Sequence, residues 1–127
     1  QMPAILWAIC IFLASSVPSG RIYWVLLHRL DKVVHLTIFF VFGLLVYRAL
    51  HHGDGPSKFS YKRVILMLFI VLGYGLFDEL HQAYTPGRSV DVRDFLADVT
   101  GGILAGGAVI VSKLRDSKRA RSAGPQS

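Results

Sequence analysis

The apolar residues of this chain fall into four blocks, 4–17, 33–50, 64–77 and 95–111, separated by short polar connections. The second block is interrupted only by His35 and Arg48. A helix of a soluble bundle keeps a polar stripe for water. Segments 38–47 and 64–77 have no such stripe and are apolar all round. The pattern predicts an all-α, polytopic membrane bundle of about four transmembrane helices. A span takes about 20 apolar residues. Blocks 33–50 and 95–112 approach that length, whereas 64–77 reaches it only by running on through 78–84, which sinks an acidic cluster at the membrane edge. Block 4–17 is short; the alternative to a span is the core of a secretory signal ending at Ala14-Ser15-Ser16. No basic residue precedes it, and four spans are the expectation.

Composition agrees with this class. Over 127 residues the apolar set AVILMFWYC makes up 53% and charged residues only 17%. The mean hydropathy of +0.48 is too high for a disordered tail or an ordinary soluble domain. One domain is expected over 1–112, followed by a basic tail over 113–127. A single cysteine, Cys10, excludes an internal disulfide and any multi-cysteine metal centre.

The net charge of +6 is distributed unevenly. In a four-span topology the second loop (Arg48, Lys58, Lys62, Arg63) and the tail (Lys113, Arg115, Lys118, Arg119, Arg121) share one side and carry nine basic residues. The other side carries five: Arg21, Arg29, Lys32, Arg88 and Arg93. The positive-inside bias then places both termini in the cytoplasm, with Asp31, Asp78, Glu79, Asp91 and Asp94 at the outer ends and Asp98 one turn deeper. The tail suits anionic lipid. It lacks the interleaved aromatics of a nucleic-acid site, and no nucleic-acid partner is expected.

Three charged clusters sit at those outer ends. Asp31 and His35, four apart, share a helix face. Asp78-Glu79-Leu80-His81-Gln82 places Glu79 with Gln82, and Asp78 with His81 and Gln82. Asp91, Asp94 and Asp98 form one stripe entering the last span, after Pro86-Gly87-Arg88. Taken singly, Asp31 or Asp94 reads as a helix N-cap or first-turn acid, and His35 as a buried histidine on a carbonyl. Taken together, ionisable groups entering a membrane from one side point to function. The two hairpins also look alike: Pro18-Ser19-Gly20-Arg21, then Asp31 and His35; Pro86-Gly87-Arg88, then Asp94 and Asp98. A duplication would make the two i, i+4 pairs face each other across a cleft.

These motifs carry a resemblance. Asp31-Lys32-x-x-His35, Asp78-Glu79-x-x-Gln82 and Pro86-Gly87-Arg88-x-x-Asp91-x-x-Asp94-x-x-x-Asp98-x-x-Gly101 resemble the VanZ-like family over roughly 15–107. That family comprises small bacterial membrane proteins, and its namesake is associated with low-level resistance to the glycopeptide teicoplanin. The family often has Asn where this chain has Asp98, which adds negative charge here. The resemblance implies membrane location and fold more strongly than any reaction.

Four functions fit the residues. The first is an enzyme acting on a lipid or lipid-linked envelope component, with Glu79, Asp94, His35 and Asp31 as acid/base groups and Arg88, Gln82, Lys32, His81 and Asp91 binding substrate. A divalent cation (Mg²⁺, Ca²⁺ or Zn²⁺) on Asp94, Asp98, Glu79 and His35 is its cofactor option. The second is a binding module for a lipid headgroup, wall precursor or glycopeptide. The third is a structural network pinning helix ends, and the fourth is ion transport, for which no relay continues into the cytoplasmic half. Oligomeric state stays open. Gly101, Gly102, Gly106, Gly107, Gly43, Gly73 and Gly75 are expected to permit tight helix packing. Trp7, Tyr23, Trp24, Tyr61 and Tyr84 are expected to anchor the interfaces. His51 and His52 lie away from the acidic side.

Overall fold

The computed structural model describes residues 1–18, 31–52 and 59–122. Among them the chain forms four helices and no strand: α1 (Met2–Ser15), α2 (Asp31–Leu50), α3 (Tyr61–Gln82) and α4 (Val92–Ser122). The last three are long and apolar enough to cross a membrane. Helix α3 does run on through the acidic cluster to Gln82, as a complete span requires. Helix α4 does not stop at the end of its apolar block; it stays helical through the basic segment to Ser122. Tyr23, Trp24 and Arg21 lie outside the described residues, so the first half of the internal resemblance is seen only from Asp31 onward.

Helix α1 has 14 residues, about 21 Å of rise. Its start lies beside Arg48, Ala49 and His52, and its end beside His81 and Thr85. It therefore runs the depth of the bundle beside α2 and α3. Trp7, expected at an interface, instead donates its indole N–H to the Ile38 carbonyl at 3.1 Å, and Tyr74 donates to the Ala8 carbonyl at 2.6 Å. In a low-dielectric interior each buried donor must find such an acceptor. Tyr61 and Tyr84 do stand exposed near helix ends.

The bundle is apolar on its outside. Ile5, Leu66, Phe69, Leu76, Leu104 and Val111 are exposed, while the interior holds Phe39, Phe42, Val46, Met67, Val71 and Ala105. A soluble protein avoids such a continuous apolar exterior; acyl chains tolerate it. The seams that α4 makes with α2 and α3 explain Gly43, Gly101 and Gly102. A methyl group on Gly101 would sit 2.3 Å from the Leu36 carbonyl oxygen and 2.8 Å from the Phe40 nitrogen. One on Gly102 would meet Val71 at 2.7 Å, and one on Gly43 would meet Ala105 at 2.8 Å. Gly73 and Gly107 face open space, so tight packing explains only part of the set.

Candidate functional site

The polar side chains gather at one end, where α1 and α3 finish and α2 and α4 begin. Two helix N-termini favour acids there, so Asp31 and Asp94 occupy first turns with the dipole in their favour. Asp78 and Glu79 are different: they sit at the C-terminal end of α3, where the dipole opposes negative charge.

The connection from α3 to α4 is built by local chemistry. Residues Thr85-Pro86-Gly87-Arg88 form a turn closed by Arg88 N–H on the Thr85 carbonyl at 3.1 Å, with Gly87 at φ 79°. Pro second and left-handed Gly third are what a type II turn requires. The turn brings Arg88 back over α3, where its Nη1 donates to Gln82 Oε1 at 3.1 Å. Gln82 Nε2 in turn donates to Asp78 Oδ2 at 2.8 Å. Asp91 closes the loop. Its backbone N–H donates to Glu79 Oε2 at 2.9 Å, and its Oδ1 accepts the Arg93 N–H at 2.8 Å. Asp91 is thus the N-cap of α4, and Asp94 the first-turn acid.

Two groups of ionisable side chains result. At the rim, Lys32 reaches from α2 to Asp91, at 2.9 Å, and to Asp94. The Lys32 ammonium holds the Asp91 carboxyl below the usual carboxylate range. Deeper, His35 Nδ1 lies 2.9 Å from Asp98 Oδ1, and its Nε2 lies 3.9 Å from Asp31 Oδ1. Asp78, Glu79 and Asp98 are buried, at 1%, 2% and 0% exposure. Each of their carboxylates has one oxygen held: Asp78 by Gln82, Glu79 by the Asp91 N–H, Asp98 by His35. Glu79 Oε1 and Asp98 Oδ2 are buried with no hydrogen-bond partner.

The expected residues do not all converge. The pairs Asp31/His35 and Asp94/Asp98 do face each other across the α2–α4 seam, as a duplicated hairpin would arrange them. The metal set read from sequence divides. Glu79, Asp98 and His35 lie together with Asp78, whereas Asp94 groups with Asp31 and His35 and is bonded to Lys32. The sequence motifs assign Asp78 no role in the site; its i, i+4 relation to Gln82 is the signal that marks it. His81 turns away from Asp78 toward α1, bonded to Ser16 Oγ at 2.9 Å and packed on Phe12 with ring centroids 4.4 Å apart. His51 lies at the opposite end, on Arg63 and Tyr47.

Beside the deep group is a cleft of about 70 Å³. Ile11, Val34, Ile38 and Phe39 give it apolar walls, and Asp31, His35, Asp78 and Arg88 give it polar ones. Its volume suits a small polar group with a few waters.

No curated protein and no solved structure matches the chain. The family model described as VanZ/LLP1 matches residues 2–113, which takes in all the charged motifs and every apolar block. This multi-pass membrane protein belongs to the VanZ/LLP1 family.

Proposed function

We propose that the protein engages a lipid or lipid-linked component of the bacterial cell envelope through the cleft at its charged end, and that this engagement contributes to glycopeptide tolerance of the teicoplanin type. One observation carries the reading: Arg88 and three titratable side chains line the same opening as Ile11, Val34, Ile38 and Phe39. Such a mixed wall matches an amphiphile, whose phosphate would take the guanidinium fork while its chain lies on apolar surface. Asp31 and His35 line the same cleft and, in this reading, exchange a proton with a headgroup bound there. The uneven basic charge supports a cytoplasmic-membrane orientation with both termini inside and the cleft outside.

The test is mass spectrometry of lipids and lipid-linked wall precursors from cells expressing the native chain or Arg88→Ala at matched levels, with teicoplanin susceptibility measured in parallel. A species that changes only with the native chain is expected. Identical profiles and identical susceptibility overturn the proposal. A reporter within residues 83–91 that is active in the cytoplasm overturns the orientation.

A second reading has its own observation. Lys32 ties the start of α2 to the start of α4 through Asp91 and Asp94. That part of the charged end acts as a clamp between helix ends, whatever the cleft binds.

A further inference from the structure

Three carboxylates and an imidazole converge beside the cleft, whose wall His35 and Asp78 share. His35, Asp78, Glu79 and Asp98 each offer one ligand atom, and the four atoms lie within 4.8 Å of one another. All four residues are buried. They come from three helices, so no local motif in any one of them produces the arrangement. Burying ionised carboxylates side by side is costly unless a cation joins them or protons neutralise them. Among the described residues, the Lys32 ammonium is paired with Asp91 and Asp94 at the rim. The dipole of α3 adds to the cost at Asp78 and Glu79.

The hydrogen bonds around the group have the form of support for ligands. Asp78, Glu79 and Asp98 each have one oxygen fixed by a donor outside or within the group, which sets the carboxylate's orientation. Among the described residues, the opposite oxygens of Glu79 and Asp98 are the buried polar side-chain atoms without a partner. Buried acceptors left bare cost about 1–3 kcal/mol each. A cation bound by these oxygens would remove that cost. Gly75 faces Asp98, with its missing methyl 3.4 Å from Oδ2, so no side chain from that turn of α3 crowds the bare oxygen.

We propose that His35, Asp78, Glu79 and Asp98 form a binding site for one divalent cation of the Mn²⁺ or Zn²⁺ type. One imidazole among carboxylates suits those ions better than Ca²⁺, which takes six to eight oxygens. The site stands independently of the lipid reading: a protein that leaves the cell's lipids unchanged can still hold the ion.

The test uses the full chain in detergent, purified without a polyhistidine tag, stripped with a chelator and dialysed against Mn²⁺, Zn²⁺, Mg²⁺ or Ca²⁺. Bound metal is measured by mass spectrometry, and Mn²⁺ coordination by electron paramagnetic resonance. About one Mn²⁺ or Zn²⁺ per chain is expected, with a higher Tm in its presence. Asp98→Asn and Glu79→Gln weaken binding by about 10-fold or more. Asp94→Asn keeps the ion, because Asp94 belongs to the rim, and so does the double variant His51→Ala/His52→Ala, which removes the histidines of the opposite end. A native chain that retains no ion overturns the proposal without any variant having to fold. Equal retention by native chain, Asp98→Asn and Glu79→Gln overturns it too, as does loss in Asp94→Asn or in the histidine double variant. Stoichiometric Ca²⁺ or Mg²⁺ in place of Mn²⁺ and Zn²⁺ overturns the ion type.

Discussion

The rim and the buried cluster use the same materials and solve opposite problems. Both gather acids near helix ends: the rim draws on the starts of α2 and α4, the cluster on α2, α3 and α4. At the rim two carboxylates meet an ammonium, and Lys32 and Asp91 remain 41% and 42% exposed, so water shares the solvation. In the cluster three carboxylates meet one imidazole with essentially no exposure, and two oxygens go unbonded. A side-chain cation completes the first. The second is complete only with a proton or an ion from outside. Charge count and burial, rather than the presence of acidic residues, separate a clamp from a candidate site.

The widest break in this comparison removes the seam beneath both regions. Gly101→Val forces α4 away from α2 and is expected to cost about 3 kcal/mol or more, seen as loss of folded protein in detergent. Gly107→Ala, in open space, is expected to match the native chain or gain slightly.

Next come substitutions whose effects should differ in sign. Lys32→Met leaves Asp94 largely buried beside Asp91 without its partner, and is expected to lower stability by about 1–2 kcal/mol. Adding Asp94→Asn should recover part of that loss in a double-mutant cycle. In the metal-stripped protein Asp98→Asn is expected to raise the Tm, by about 1 kcal/mol in stability, because it relieves repulsion while the Asn carbonyl still accepts from His35. A fall of the same size would show that the cluster is already balanced.

Smaller still is the turn. Gly87→Ala places a methyl at φ 79° and is expected to cost about 1 kcal/mol, with Arg88 displaced from Gln82. The smallest effect is at Asp91. Its folded pKa lies below the ordinary 3.8, so its bond to Lys32 contributes fully above that value and is lost as pH falls through the lowered one. The Tm difference between native chain and Asp91→Asn should therefore narrow as the pH is taken below 3.8, and a difference that widens would refute the assignment.

Residues on one helix were readable from spacing, and residues on different helices were not. The i, i+4 rule correctly set Gln82 with Asp78 and His35 with Asp31. The i, i+3 relation likewise put His81 on Asp78's face, but the bundle turns the imidazole toward Phe12 and Ser16 at the α1 end. Spacing along single helices could not show that Asp94 would be captured by Lys32 while Asp78 joined Glu79, Asp98 and His35.

By itself the sequence determined the all-helical membrane class, the four apolar segments, the gathering of acids at one end, and the turn at Pro86-Gly87. Each depends on residues close in the chain: unbroken apolar runs, first-turn acids, a proline followed by glycine. Only the tertiary structure decided which carboxylate meets which cation. That depends on how each helix is rotated against its neighbours, and the rotation is set by contacts such as Gly101 on Leu36 and Gly102 on Val71, between residues at least 31 positions apart. Helical periodicity says which side chains share a face; packing against a neighbouring backbone decides where that face points.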